Sequence, residues 1–154
     1  MVILFIIQAD FWYNMIYMKK ITVEVVVDAG IQKVWEFWTA PEHITKWAFA
    51  DESWEAPHAE NDLKTGGRFL TRLSAKDGSS GFDFTGVYTN VVPMEKIEFT
   101  LDDGRTVSVD FQKIGDGSVR VVEEFEMENE NSEELQRSGW QAFMNNFKKH
   151  VENN

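Results

Sequence analysis

Ser132–Val151, SEELQRSGWQAFMNNFKKHV, is the longest helical pattern in the chain. Trp140, Phe143, Met144, Phe147 and Val151 recur at i, i+3, i+4, i+7 and i+11, one apolar stripe on an α-helix. Glu133 and Glu134 stand in its first turn and Lys148, Lys149 and His150 in its last, so both ends complement the helix dipole. The spacing predicts a helix starting near Asn131 or Ser132, with Leu135 and Gly139 beside the stripe. Gly139 costs such a helix about 1 kcal/mol relative to alanine, and a close approach to another backbone is the expected reason for it. A stripe this aromatic needs an apolar partner surface, and the rest of the chain must supply it.

The preceding sequence reads as strands. Ile21, Val23, Val25 and Val27 alternate with Thr22, Glu24 and Val26, a period of two rich in β-branched residues. Asp28 is a candidate N-cap for a short helix carrying Ile31, Val34, Trp35 and Trp38 at helical spacing. A second short helix follows from Thr39-Ala40-Pro41-Glu42 to about Trp47, where Thr39 and Glu42 could form a capping box and Pro41 suits the first turn. After a loop-like stretch with a short strand near Ser53–His58, Gly66-Gly67 marks a turn. Strands are then expected at Phe69–Ser74, Phe82–Val92, Lys96–Leu101, Thr106–Ile114 and Val119–Met127. Turns KDGSSG, Asp102-Asp103-Gly104 and Gly115-Asp116-Gly117 separate most of them, which is the signature of an antiparallel meander. The fold class is therefore α+β: a curved antiparallel sheet of six to seven strands, two short helices after the first strand, and a long C-terminal helix in the concave side.

Composition limits the function. The chain has 154 residues, fitting one domain, with 43% hydrophobic and 14% aromatic residues. It has no cysteine, which rules out disulfides and thiolate chemistry and accords with a cytoplasmic location. The net charge is −11 and no basic stripe appears, so nucleic acid and anionic membrane surfaces are poor partners. The run Val2–Ile7 is far shorter than the roughly 20 apolar residues of a membrane span. Residues 1–17 are largely apolar, with Asp10 as their only charged side chain, and lack the features of a signal peptide. They read either as upstream of the functional start at Met18 or as an extra strand or arm buried against something; the first is the preferred reading, with residues 18–154 as the single domain.

Four motifs in order carry a family resemblance. They are Val34–Trp47 (VWEFWTAPEHITKW), Asp62–Phe69 (DLKTGGRF), Gly86–Pro93 (GVYTNVVP) with Ile97–Thr100 (IEFT), and Ser138-Gly139-Trp140 with Phe143 and Phe147. From about Lys20 to Val151 the chain resembles the START-like (SRPBCC) superfamily, and within it the family named after the activator of the Hsp90 ATPase. The resemblance implies a helix-grip, Bet v 1-like fold with a cavity between sheet and helix. It implies little chemistry, because such folds include lipid carriers, cyclases, hormone receptors and chaperone activators. The activator that names the family has an additional client-binding domain, whereas this chain reads as one domain.

The candidate ligand-binding residues are Phe69, Phe84, Tyr88, Phe99 and Phe111 on inward strand faces, Glu123, and Trp140, Phe143, Met144 and Phe147 on the helix. Trp35, Trp38 and Trp47 are read as anchors of the short helices. Glu123 shares a face with Val119, Val121, Phe125 and Met127. The preferred reading is that this end of the strand twists into solvent or that Arg72 or Arg120 pairs with it; the sharper one is a desolvated carboxyl with a raised pKa. The acidic run Glu123–Glu134 reads as a solvated strand edge and helix start. His43, His58 and His150 show no metal-ligand spacing, Asp102-Asp103-Gly104 lacks the rest of a calcium loop, and there is neither a nucleotide-binding glycine motif nor a nucleophile elbow. No catalytic residue, metal or cofactor is expected. The leading function is binding of a small apolar molecule, lipid-like or aromatic, with Tyr88, Asn90 or Glu123 giving polar contacts. An Hsp90-type chaperone partner comes second, and a cyclase- or hydrolase-type enzyme third.

Overall fold

The structure, a computed structural model, describes residues 18–154. The two readings of residues 1–17 lie outside the described residues. Seven strands form one antiparallel sheet: β1 (Lys20–Val27), β2 (Trp54–Asn61), β3 (Arg68–Ala75), β4 (Gly81–Val92), β5 (Lys96–Leu101), β6 (Thr106–Ile114) and β7 (Ser118–Glu126). Their spatial order is β1-β7-β6-β5-β4-β3-β2. β2 to β7 thus form a continuous meander, and β1 returns to pair with β7, with Val23 opposite Glu123. Two short helices, α1 (Ile31–Thr39) and α2 (Pro41–Trp47), connect β1 at one edge to β2 at the other. The long helix α3 (Glu133–Glu152) closes the concave side. This is the helix-grip arrangement.

Period-two burial explains how the strands form the core. On β1, Ile21, Val23, Val25 and Val27 are all buried while the residues between them face out. On β7 the buried set is Val119, Val121, Glu123 and Phe125. The free edge of β1 would otherwise present unpaired backbone to solvent. α3 covers it with side chains: Arg137 Nη1 donates to the Thr22 carbonyl at 2.9 Å, Gln141 Nε2 to that of Glu24 at 3.0 Å, and Lys148 Nζ to that of Val26 at 2.5 Å. Alternate residues of a strand present their carbonyls on the same side, so one helix face meets all three.

Three local expectations are corrected. α1 is capped by Gly30 rather than Asp28; the Asp28 carboxylate instead accepts from Ser118 Oγ at 3.0 Å, tying the end of β1 to the start of β7. The Thr39–Glu42 capping box does not form: the N-cap of α2 is Ala40, and Thr39 Oγ1 donates back to the Trp35 carbonyl at 2.8 Å, inside α1. Gly139 approaches no other backbone, since a Cβ there would meet nothing within 4 Å. α3 does start as read, with the Ser132 hydroxyl accepting from the Leu135 N–H. Pro41 sits in the first turn of α2.

Candidate functional site

Between the meander and α3 lies a cavity of about 290 Å³. Its sheet wall comprises Phe69, Thr71 and Leu73 from β3, Phe82, Phe84 and Tyr88 from β4, Ile97 and Phe99 from β5, and Glu123 from β7. α3 contributes Trp140 and Phe143; Trp38, Ile44, Trp47 and Ala48 close it from the short helices. Glu60 and Asn61 on β2 and Arg105 before β6 add polar groups. Of the ten sequence candidates, Phe69, Phe84, Tyr88, Phe99, Glu123, Trp140 and Phe143 therefore line one cavity.

The other three do not line it. Phe111 packs edge-on to Trp35 at 5.2 Å between ring centroids. Met144 and Phe147 are fully buried, and Phe147 lies edge-on between Trp38 and Trp47 at 4.9 and 5.0 Å. The stripe on α3 passes from cavity wall to solid core within one turn. Asn90 is also off the cavity. The β4–β5 register shifts between Tyr88 and Asn90, and Asn90 Nδ2 donates to Glu98 at 3.1 Å. Trp38 and Trp47, read only as anchors, both anchor and line: Trp47 Nε1 donates to the Phe37 carbonyl at 2.9 Å while its ring faces the cavity. Their place on two short helices directly after β1 was the available signal. Asn61 and Arg105 carry no sequence pattern that singles them out.

The aromatic walls are held in shape by one another. Phe69 lies edge-on to Phe99 at 4.9 Å and tilted to Tyr88 at 5.2 Å. Its ring rests over Gly86 on the paired strand: a Cβ there would come within 2.9 Å of the ring and 2.6 Å of the Thr100 carbonyl, so only glycine fits. Trp140 stacks on Phe125 at 4.0 Å and 9°, and Phe84 meets it edge-on at 6.1 Å. Offset and edge contacts of this kind fix ring orientation.

The polar groups of the wall differ in commitment. Tyr88 Oη donates to Asn61 Oδ1 at 2.6 Å, and Asn61 Nδ2 donates to the Thr39 carbonyl at 2.7 Å, a chain joining β4, β2 and the end of α1. Burial pushes the Tyr88 phenol well above its ordinary pKa. Arg105 is held by the Asp103 carboxylate at 2.9 Å and reaches the Glu126 carbonyl, and Glu60 accepts from His58 at 2.8 Å. Glu123 is different. It is 6% exposed, and among the described residues its carboxyl has no hydrogen bond and no ion pair. The preferred sequence reading is thus corrected: Glu123 does not twist into solvent, Arg72 pairs with Asp83 at 3.2 Å, and Arg120 with Glu24 at 3.7 Å. Both arginines stand on outward positions of their strands, whereas Glu123 has Val23 and Val109 as cross-strand neighbours. Loss of hydration, uncompensated by any donor, pushes its pKa up to about 8.

Two of the three histidines, distant in sequence, meet in the fold. His43 Nδ1 and His150 Nε2 are 3.1 Å apart, and the His43 ring stacks on Phe37 at 3.7 Å, joining α2 to the end of α3. Burial first, then His43 and the lysines nearby, lower the His150 pKa. Among the described residues no third His, Asp or Glu joins them to make a metal site.

Comparison with known proteins now fits this geometry. The family model described as Activator of Hsp90 ATPase homolog 1-like protein matches residues 28–152. The chain belongs to that family. A solution structure of an AHSA1-like protein from Aeromonas hydrophila is 39% identical, with 88% of this chain and 93% of that one covered and a TM-score of 0.82. A solution structure of a protein from Cytophaga hutchinsonii is 52% identical over 87% of this chain and 92% of that one, with a TM-score of 0.76. A Nitrosomonas europaea protein at 18% identity, covering 87% of this chain and 94% of its own, repeats the fold with a TM-score of 0.75. No curated protein matches the chain. Among the described residues no helix is long and apolar enough to cross a membrane.

Proposed function

We propose that this member of the Activator of Hsp90 ATPase homolog 1-like family is a non-catalytic carrier or sensor that holds a small apolar molecule, lipid-like or aromatic, in the cavity between sheet and α3. The observation that carries this reading is the wall itself: aromatic on almost every side, with one buried carboxyl that has no partner among the described residues. Small-molecule sites are mostly apolar with a few placed polar groups, and run from about 300 to 1,000 Å³; at about 290 Å³ this cavity suits a compact occupant. The absence of cysteine supports action in a reducing cytoplasm. Native mass spectrometry of the purified protein, followed by a binding screen with lipids and polycyclic aromatics, tests it. A stoichiometric adduct or saturable one-site binding is expected; absence of both contradicts the reading.

The family match supports a second reading, a partner of an Hsp90-type chaperone. A pull-down with such a chaperone together with its ATPase rate decides it: neither binding nor a rate change eliminates the reading. Acid–base catalysis by Glu123 ranks third, because among the described residues no second uncommitted ionisable group lines the cavity.

A further inference from the structure

Glu123 narrows the chemistry of the occupant; this step rests on the cavity-binding reading above. Among the described residues four ionisable side chains line the cavity, and three are already engaged: Glu60 by His58, Tyr88 by Asn61, and Arg105 by Asp103. Arg105 is, among the described residues, the sole cationic side chain of the wall, and its charge is met at 2.9 Å. Among the described residues an anionic ligand would find no free cation in the wall, and the Glu60 carboxylate would oppose it.

The groups facing Glu123 from the surrounding elements are mostly apolar. β1 presents Val23 and β6 presents Val109, the cross-strand neighbours. α3 presents Trp140 and Phe143, and the remaining ionisable groups of the wall are the three engaged ones. A carboxyl this deeply buried, unpartnered among the described residues and open to a cavity is a costly arrangement in the empty protein, and a ligand that supplies the missing partner removes that cost. The aromatic faces around it carry negative quadrupoles, which favour a cation over a neutral group. The net charge of −11 draws cations toward the protein as a whole.

We propose that the cavity takes a compact hydrophobic amine, which seats its ammonium group on the Glu123 carboxylate and its hydrocarbon body against the aromatic walls. When the ammonium ion enters, Glu123 gives up its proton to solvent and the pair forms in its place. With the Glu123 pKa at about 8, ionisation at neutral pH lowers the affinity only about tenfold, within reach of a buried, charge-assisted hydrogen bond. A ligand that used the neutral carboxyl as a donor, such as a ketone, would show the opposite pH dependence.

The test compares three probes of one shape, naphthylethylamine, naphthyl methyl ketone and naphthylacetate, by calorimetry on the full chain at several pH values. The amine is expected to bind tightest, with affinity rising close to tenfold per unit from about pH 6 to about pH 8 and levelling above it. At about pH 7 its binding should release close to one proton, read from buffers of different ionisation enthalpy. Glu123→Gln should weaken the amine at least tenfold and abolish its pH slope, while circular dichroism and cooperative thermal unfolding report that the variant is folded. Tighter binding of the ketone or the acid, or an amine affinity indifferent to pH and to Glu123→Gln, overturns the inference while leaving the carrier reading intact. Failure of all three probes to bind, together with an empty native mass spectrum, removes the carrier reading and this inference with it.

Discussion

The two halves of α3 present the same kind of side chain to different surroundings. Met144, Phe147 and Val151 in the C-terminal half are fully buried against α1, α2 and β1. Trp140 and Phe143, one turn earlier, are partly buried and face a cavity. A continuous apolar stripe shows which face of a helix leaves water; it does not show whether the far side is filled. The filling is decided by bulk from elsewhere in the chain. Trp38 and Trp47 reach Phe147 from the short helices and fill the C-terminal end. Trp140 instead stacks on Phe125 of β7 and meets Phe84 edge-on, and the neighbouring inward position of β7 is Glu123 rather than an apolar side chain.

Truncations along the helix should separate these halves. Phe147→Ala is expected to cost about 3–5 kcal/mol in denaturant unfolding, because it opens a void inside a closed core. Phe143→Ala only enlarges an existing space and should cost less than half as much; equal losses would mean that the cavity is filled in solution by rearranged side chains.

The next effect separates Glu123 from the engaged polar groups. Its folded pKa of about 8 lies above its ordinary value of 4.5, so the folded state holds a proton that the unfolded chain releases. The resulting stabilisation is complete below about pH 4.5 and is lost as pH rises through about 8. Relative to Glu123→Gln, the protein should lose about 3 kcal/mol between pH 5 and pH 7.5. His150, whose pKa is lowered, acts in the opposite sense, losing its contribution as pH falls below about 6.5; comparison with the Gln variant cancels it. Parallel stability–pH curves for the two proteins would show that Glu123 finds a partner.

Tyr88→Phe removes the donor to Asn61 and should cost about 1 kcal/mol, since one acceptor is left unmet at the cavity edge. Smallest is Gly139→Ala. With nothing within 4 Å of the added methyl, it should raise stability by roughly 0.5–1 kcal/mol. A loss instead would mean that the open space beside Gly139 closes in solution.

Much of this architecture was legible in sequence, for a physical reason. β-branched alternation in Ile21–Val27 and the Gly- and Asp-rich turns between later strands are local signals, and β5 and β6 have the bounds they imply. The start of α3 was legible from Ser132 and its two glutamates. Caps and cavity membership were less so. Asp28 has the chemistry of an N-cap, yet Ser118, 90 residues away, claims its side chain. Asn90 and Tyr88 are two residues apart, yet a register shift between them sends Asn90 to Glu98 and leaves Tyr88 inward. The fate of Glu123 depended on whether either arginine would reach it, and both stand on the opposite face with nearer carboxylates.

The most direct test of a cavity behind one half of α3 and a solid core behind the other is a heteronuclear NMR titration with naphthyl methyl ketone, which carries no charge. The account predicts saturable shifts in the Trp140 indole and in the methyl groups of Thr71 and Leu73, with the Met144 and Val151 methyls unmoved. Shifts spread evenly along the helix, or none up to the solubility limit of the probe, would contradict it.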